Sequence, residues 1–95
     1  MEITLDTRPV PDPDVVSTAL GNGDVVLLHL RKRCYFSLNQ SGGRIWSLMS
    51  DGMPLREVSE RLEAEYDVGS DRARASVLAL CALLAAEGLV LLPGA

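Results

Sequence analysis

A chain of 95 residues, 47% hydrophobic and 23% charged, makes one globular domain with its own core and little room for an enclosed active site. Its net charge of −4 and pI near 4.8 point away from nucleic acid, which selects a basic face. The single histidine and two widely separated cysteines give neither metal-ligand spacing nor a disulfide framework.

The first residues are acidic and proline-bearing (Pro9, Pro11, Pro13), unlike a signal peptide, and are expected to be an extended segment over 1–13. Val15 to Leu20 is a short β-prone run closed by the turn signal Gly21-Asn22-Gly23. Val25 to Leu30 is continuously apolar, which predicts a central strand or one contacted on both faces. His29 lies inside it, with no second ligand nearby, and reads as an ordinary sheet position. Arg31-Lys32-Arg33 has no glycine or asparagine, so the connection should be longer than a tight two-residue turn. Cys34 to Leu38 then alternates, with Cys34, Phe36 and Leu38 on one face and Tyr35 and Ser37 on the other. Both cysteines, Cys34 and Cys81, read as small buried hydrophobes in a reducing cytosol.

Three helices follow. Asn39 or Ser41 can cap the first, whose Ile45, Trp46 and Met49 fall at helical spacing. Trp46, the chain's one tryptophan, is expected to be buried where this helix packs on the sheet. Gly42 and Gly43 in its first turn predict close approach of another backbone, and Gly52 suits the left-handed residue that ends it. Pro54 opens the second helix, with Leu55, Val58, Leu62 and Tyr66 as its apolar stripe. Val68-Gly69 breaks it, and Ser70 or Asp71 caps the third. In that third helix Val77, Leu80, Cys81, Leu84 and Gly88 make a core stripe. Leu78, Ala79, Ala82, Leu83 and Ala86 leave the other side nearly free of charge, so the helix is either deeply buried or offers an apolar surface to a partner. The apolar run from Val77 to Ala86 is too short to cross a bilayer, and a cytoplasmic protein with no membrane contact is expected.

The predicted order, three strands and then three helices, is an α+β, winged-helix-like domain with a three-stranded antiparallel sheet. Ser, Cys and His are present, but nothing places a base beside a nucleophile. The expectation is a binding module and not an enzyme, with no cofactor and no metal. A winged-helix DNA-binding regulator shares this topology, yet its recognition helix needs a basic face, and the third helix offers only Arg72 and Arg74 at one end. A small subunit using that apolar helix as a permanent interface is the other reading of the same residues.

Taken together, VVLLHL–RKR–CYFSLNQSGGRIW, Asp51-Gly52, LREVSERLEAEYDV and the closing Glu87-Gly88-Leu89-Val90 resemble the PqqD-like family over roughly residues 14–92. These small domains, also called RiPP recognition elements, bind the leader segment of ribosomally made precursor peptides. The Tyr-Phe-x-Leu-Asn and Ile-Trp forms look most like the stand-alone versions of lasso-peptide pathways, with the peptide chaperone of pyrroloquinoline quinone synthesis as the runner-up. The resemblance implies that a precursor leader peptide adds as a strand to the sheet edge at Cys34, Tyr35, Phe36, Ser37 and Leu38, in a groove beside the third helix. Arg74 and Leu78 are the helix residues placed on its peptide side, with Leu80 and Leu83 in their place if the helix is rotated. It further implies a separate leader peptidase, followed by a cyclase, to which the bound leader is presented. The chain departs from the family pattern at the hairpin turn, which usually carries a glycine, and at Pro54, where a Thr-led cap is usual; Glu57 of that capping box is retained.

Overall fold

Three β-branched and aliphatic segments pair into an antiparallel sheet in this computed structural model, which describes residues 3–92. Strand β1 is Val10–Pro11, β2 Val15–Ala19, β3 Val25–His29 and β4 Cys34–Leu38; helix α1 is Gln40–Ser50, α2 Leu55–Tyr66 and α3 Ser70–Ala86; β5 is Val90–Leu91. The main sheet has the order β2-β3-β4, so the continuously apolar segment takes the central place, as its composition predicted. This is the α+β arrangement expected, a three-stranded antiparallel sheet followed by three helices.

Two short strands lie outside the predicted set. Val10 and Pro11 pair antiparallel with Leu91 and Val90, so the N-terminal segment and the chain's last described residues close on each other. Proline fits in this two-residue ladder because an edge position needs no donor from it.

The hairpin between β3 and β4 takes four residues, Leu30 to Arg33, longer than a tight turn, as expected from the missing glycine. Its left-handed position, φ 54°, is filled by Arg33. An arginine there costs about 1–2 kcal/mol relative to glycine, and the Arg33 N–H donates to the His29 carbonyl at 2.8 Å in return.

Helix α1 is capped by Asn39, whose side chain accepts from the Gly42 N–H at 2.8 Å. Gly43 is where the close approach occurs: a Cβ there would sit 2.7 Å from Cγ2 of Val25 and 3.4 Å from the Gly23 carbonyl. That approach lets Ile45, Trp46, Leu48 and Met49 enter one core with Leu27 and Leu38 of the sheet. Trp46 is buried, at 5% exposure.

Helix α2 contributes Leu55, Val58 and Leu62 to the same core, while Tyr66 at the end of the predicted stripe is exposed. The N-cap of α3 is Gly69, with Ser70 as the first helical residue and no side-chain cap, which corrects the assignment of Ser70 or Asp71. Asp71 instead puts a carboxylate in the first turn, where the helix dipole favours one. Ala73, Val77, Cys81 and Leu84 form the buried face of α3. Leu80, predicted in that stripe, is only half-buried.

Candidate functional site

The backbone bonding of the sheet determines what its free edges offer. Leu20 donates to the Asp24 carbonyl at 2.8 Å and Leu30 to the Asp14 carbonyl at 2.9 Å. Residues 24 and 30 therefore point their peptide groups at β2, and by alternation so do Val26 and Leu28. Val25, Leu27 and His29 point the other way and bond Leu38, Phe36 and Cys34. Within β4 this leaves Tyr35 and Ser37 with both N–H and C=O directed away from the sheet. An extended peptide can add at those two residues without breaking any existing ladder bond. On the opposite edge the same alternation leaves Ser17 and Ala19 of β2 directed outward, since Val15 already donates to Asp12 at 2.9 Å.

The side chains follow the same alternation. Phe36 is half-buried and Leu38 buried against the helical core, whereas Tyr35 is 74% exposed on the outer face. Cys34 is exposed, contrary to the expectation that both thiols are buried: it begins the strand beside an open turn, beyond the reach of α1. Cys81 is buried among apolar neighbours, and that burial pushes its thiol pKa up.

Two landmarks place α3 relative to β4. Before the strand, the Lys32 ammonium lies 3.5 Å from the Glu87 carbonyl at the end of α3. After it, Ser41 and Ile45 line a cleft together with Arg72, Ala73 and Ser76 from the first turns of α3. The strand therefore runs alongside α3 in the opposite sense. Neither is the other's main packing partner, since β4 packs on β3 and α1 and α3 on α2 and β5. The family resemblance puts the peptide groove between them. On the other edge α1 flanks β2, where a cleft is lined by Ser17 and Ala19 of the strand together with Trp46 and Ser50 of the helix.

The cleft at Ser41 and Ile45 identifies the flank of α3 turned toward the start of α1. Arg72, Ser76 and Glu87 lie on one helical row, and Leu80 and Leu83 continue it between them. Leu83 is 43% exposed and Leu80 half-buried, so this row is apolar along its middle. Arg74 and Leu78, two residues offset from Arg72, Ser76 and Leu80, stand roughly 200° round the helix from them. The structure brings Cys34, Tyr35, Phe36, Ser37 and Leu38 together on one edge, and Arg74 and Leu78 lie on a different flank of α3 from Arg72 and Ser76. Arg74 pairs with Asp71 at 3.6 Å, and Leu78 and Leu80 are both half-buried against the core. Leu80 and Leu83 are the pair that the sequence offered as the alternative to Arg74 and Leu78, for a rotated helix. In a helix apolar nearly all round, periodicity carries no signal for which flank faces outward.

At the cleft end of the groove Arg44 of α1 grips Glu65 of α2 through two bonds of 2.7 and 2.8 Å. Hydrogen bonding from Arg44 holds the Glu65 carboxyl below the usual carboxylate range, and the same bond raises the arginine further. This exposed pair fastens α1 to α2 beside the cleft. Among the described residues no group of His, Cys, Asp and Glu side chains is arranged to hold a metal ion, and no helix is long and apolar enough to cross a membrane.

The family model for coenzyme PQQ synthesis protein D (PqqD) matches residues 24–90, from the turn before β3 to the start of β5. The chain belongs to the PqqD family. Two solved structures share this fold closely. One, described as TbiB1 in complex with the TbiA(beta) leader peptide, is 34% identical, with a TM-score of 0.79 over 84% of this chain and 92% of its own. The other, described as lasso peptide synthetase B1 complexed with the leader peptide, is 27% identical, with a TM-score of 0.80 over 88% of this chain and 98% of its own. No curated protein matches. The PqqD-family match covers both flanks of the groove, β4 and α3, and both structural neighbours contain a leader peptide.

Proposed function

We propose that this chain binds the leader segment of a ribosomally synthesised precursor peptide as an added strand on β4 and presents it to a separate processing enzyme of a lasso-peptide pathway. The observation that carries this reading is the free edge at Tyr35 and Ser37, set beside the apolar flank of α3, in a chain 34% identical to a protein solved with a leader peptide. Main-chain bonds along the edge supply affinity with little sequence demand, and the groove supplies selection. Leader residues opposite Cys34, Phe36 and Leu38 project toward α3 and meet Leu80 and Leu83. Those opposite Tyr35 and Ser37 project onto the outer face of the sheet and stay accessible to a second protein. Tyr35 and Ser37 therefore act through their backbones, Phe36 and Leu38 through their side chains, and Cys34 at the groove's end. Arg74 and Leu78 have no direct part in it.

Bond chemistry belongs to the partner enzymes, a leader peptidase and then a cyclase, and the site lies in the cytoplasm, where precursor peptides are made. The second reading, a peptide chaperone of pyrroloquinoline quinone synthesis, is favoured by the family match and would use the same edge for a different peptide. The test is to titrate the labelled leader of the precursor encoded beside this chain, then to add the chain to the precursor with and without the peptidase. Saturable binding, no turnover by the chain alone and faster leader-dependent cleavage with the peptidase are expected. Turnover by the purified chain, or no saturable binding, would overturn the reading.

A further inference from the structure

The end of the groove where β4 begins is held by a ring of polar contacts that the strand-addition reading does not use. The Lys32 ammonium rests on the Glu87 carbonyl at 3.5 Å. The ammonium occupies the space a Cβ would take at Gly88, whose backbone is left-handed, at φ 73°. The last turn of α3 has no basic residue of its own, so the negative end of the helix receives its cation from another element.

The backbone that carries Lys32 is itself held. Its backbone N–H donates to Nδ1 of His29 at 3.3 Å, and the next N–H, of Arg33, donates to the His29 carbonyl at 2.8 Å. The imidazole is 2% exposed, and its Nε2 lies 3.8 Å from Oδ2 of Asp12. Asp12 in turn donates its N–H to the Leu89 carbonyl at 3.0 Å, two residues past Glu87. The contacts thus close from α3 through Asp12, His29 and Lys32 back to α3. At the opposite end of the groove, Arg72 and Ser76 face Ser41 across an open cleft.

We propose that Lys32 is a positioning residue for peptide binding: by clasping the β3–β4 hairpin to the C-terminal end of α3 it sets the width of the groove before the peptide arrives. This rests on the leader-binding reading. A groove held at its bound width spares the peptide the cost of ordering it, and losing that preorganisation appears mainly in the dissociation rate.

The experiment measures equilibrium binding and dissociation of the labelled leader peptide for the full chain and for K32M, K32R and R31M. Arg31 pairs with Asp14 at 3.1 Å and does not touch α3, so R31M removes one positive charge without touching the clasp. K32M should bind roughly three- to tenfold more weakly, through faster dissociation, while K32R and R31M stay within about twofold of wild type. Amide exchange in the free protein should quicken in K32M both at Lys32 and Arg33 and at Glu87 and Leu89, and in R31M at neither pair. K32M binding like wild type, or R31M weakened as much as K32M, overturns the proposal. A wild-type chain that binds no leader overturns the leader-binding reading and the positioning role with it, and the exchange comparison still decides whether the clasp holds the two elements together.

Discussion

Proline substitution along β4 separates an edge that binds from an edge that is merely exposed. The Ser37 N–H points away from β3, so Ser37→Pro leaves the β3–β4 ladder whole and alters only what an incoming strand would meet. Proline removes that donor and leaves a leader carbonyl without its partner. A lost net hydrogen bond plus a desolvated acceptor comes to about 1–3 kcal/mol, or roughly 5- to 150-fold in affinity. Phe36→Pro is the opposite case: its N–H faces Leu27, so the change breaks the ladder and should cost the fold on the order of 2–4 kcal/mol. Melting curves of both variants, followed by leader titration of whichever remains folded, supply the comparison. Ser37→Pro that melts near wild type yet binds leader equally well would refute strand addition at this edge, and the two prolines destabilising alike would refute the bonding pattern.

Other substitutions probe the helix and the core. Leu83→Asp places a charge on the exposed groove flank of α3 and should weaken leader binding by tenfold or more with little change in melting, because a charge set against an apolar side chain costs several kcal/mol when desolvated; Arg74→Ala, on a different flank, should bind as wild type, and the reverse order would mean that α3 is rotated. Trp46→Ala should lower stability by about 3–5 kcal/mol in chemical denaturation, and an unchanged midpoint would contradict its place in the core. A thiol reagent at neutral pH should modify Cys34 and spare Cys81, whose thiol is buried and raised in pKa, with both reacting in denaturant; bound leader should slow the reaction at Cys34. The Glu65 carboxyl has a lowered folded-state pKa, so its contribution is present above the unfolded value and is lost as pH falls through the folded one. Acid titration of Glu65→Gln should therefore show a shallower loss of stability across the carboxylate range than wild type, and identical slopes would remove the Arg44 bond as a stabilising contact.

The positions of the strands and helices followed from local chemistry that sequence displays directly. The apolar run at Val25, the alternation at Cys34 to Leu38, the Asn39 cap and the Gly52 stop each act within a few residues. Alternation likewise assigned the faces of β4, whereas the choice of its edge for a peptide came from the family resemblance alone. What escaped was set by packing between distant segments. The pairing of Val10 and Pro11 with β5 joins the two ends of the chain and involves a proline that argues against a strand. Arg33 adopts the left-handed conformation usual for glycine because its N–H is bonded to His29. The flank of α3 that faces a peptide was hidden because Leu78, Leu80 and Leu83 are chemically alike, so spacing alone does not separate them.

The most direct measurement of leader binding at β4 is residue-by-residue amide exchange with and without the precursor's leader peptide. Strand addition on β4 predicts that the amides of Tyr35 and Ser37, free in the unbound protein, become protected on binding, while Ser17 and Ala19 on the β2 edge exchange as before. Protection at Ser17 and Ala19, or at neither edge despite saturating peptide, would contradict it.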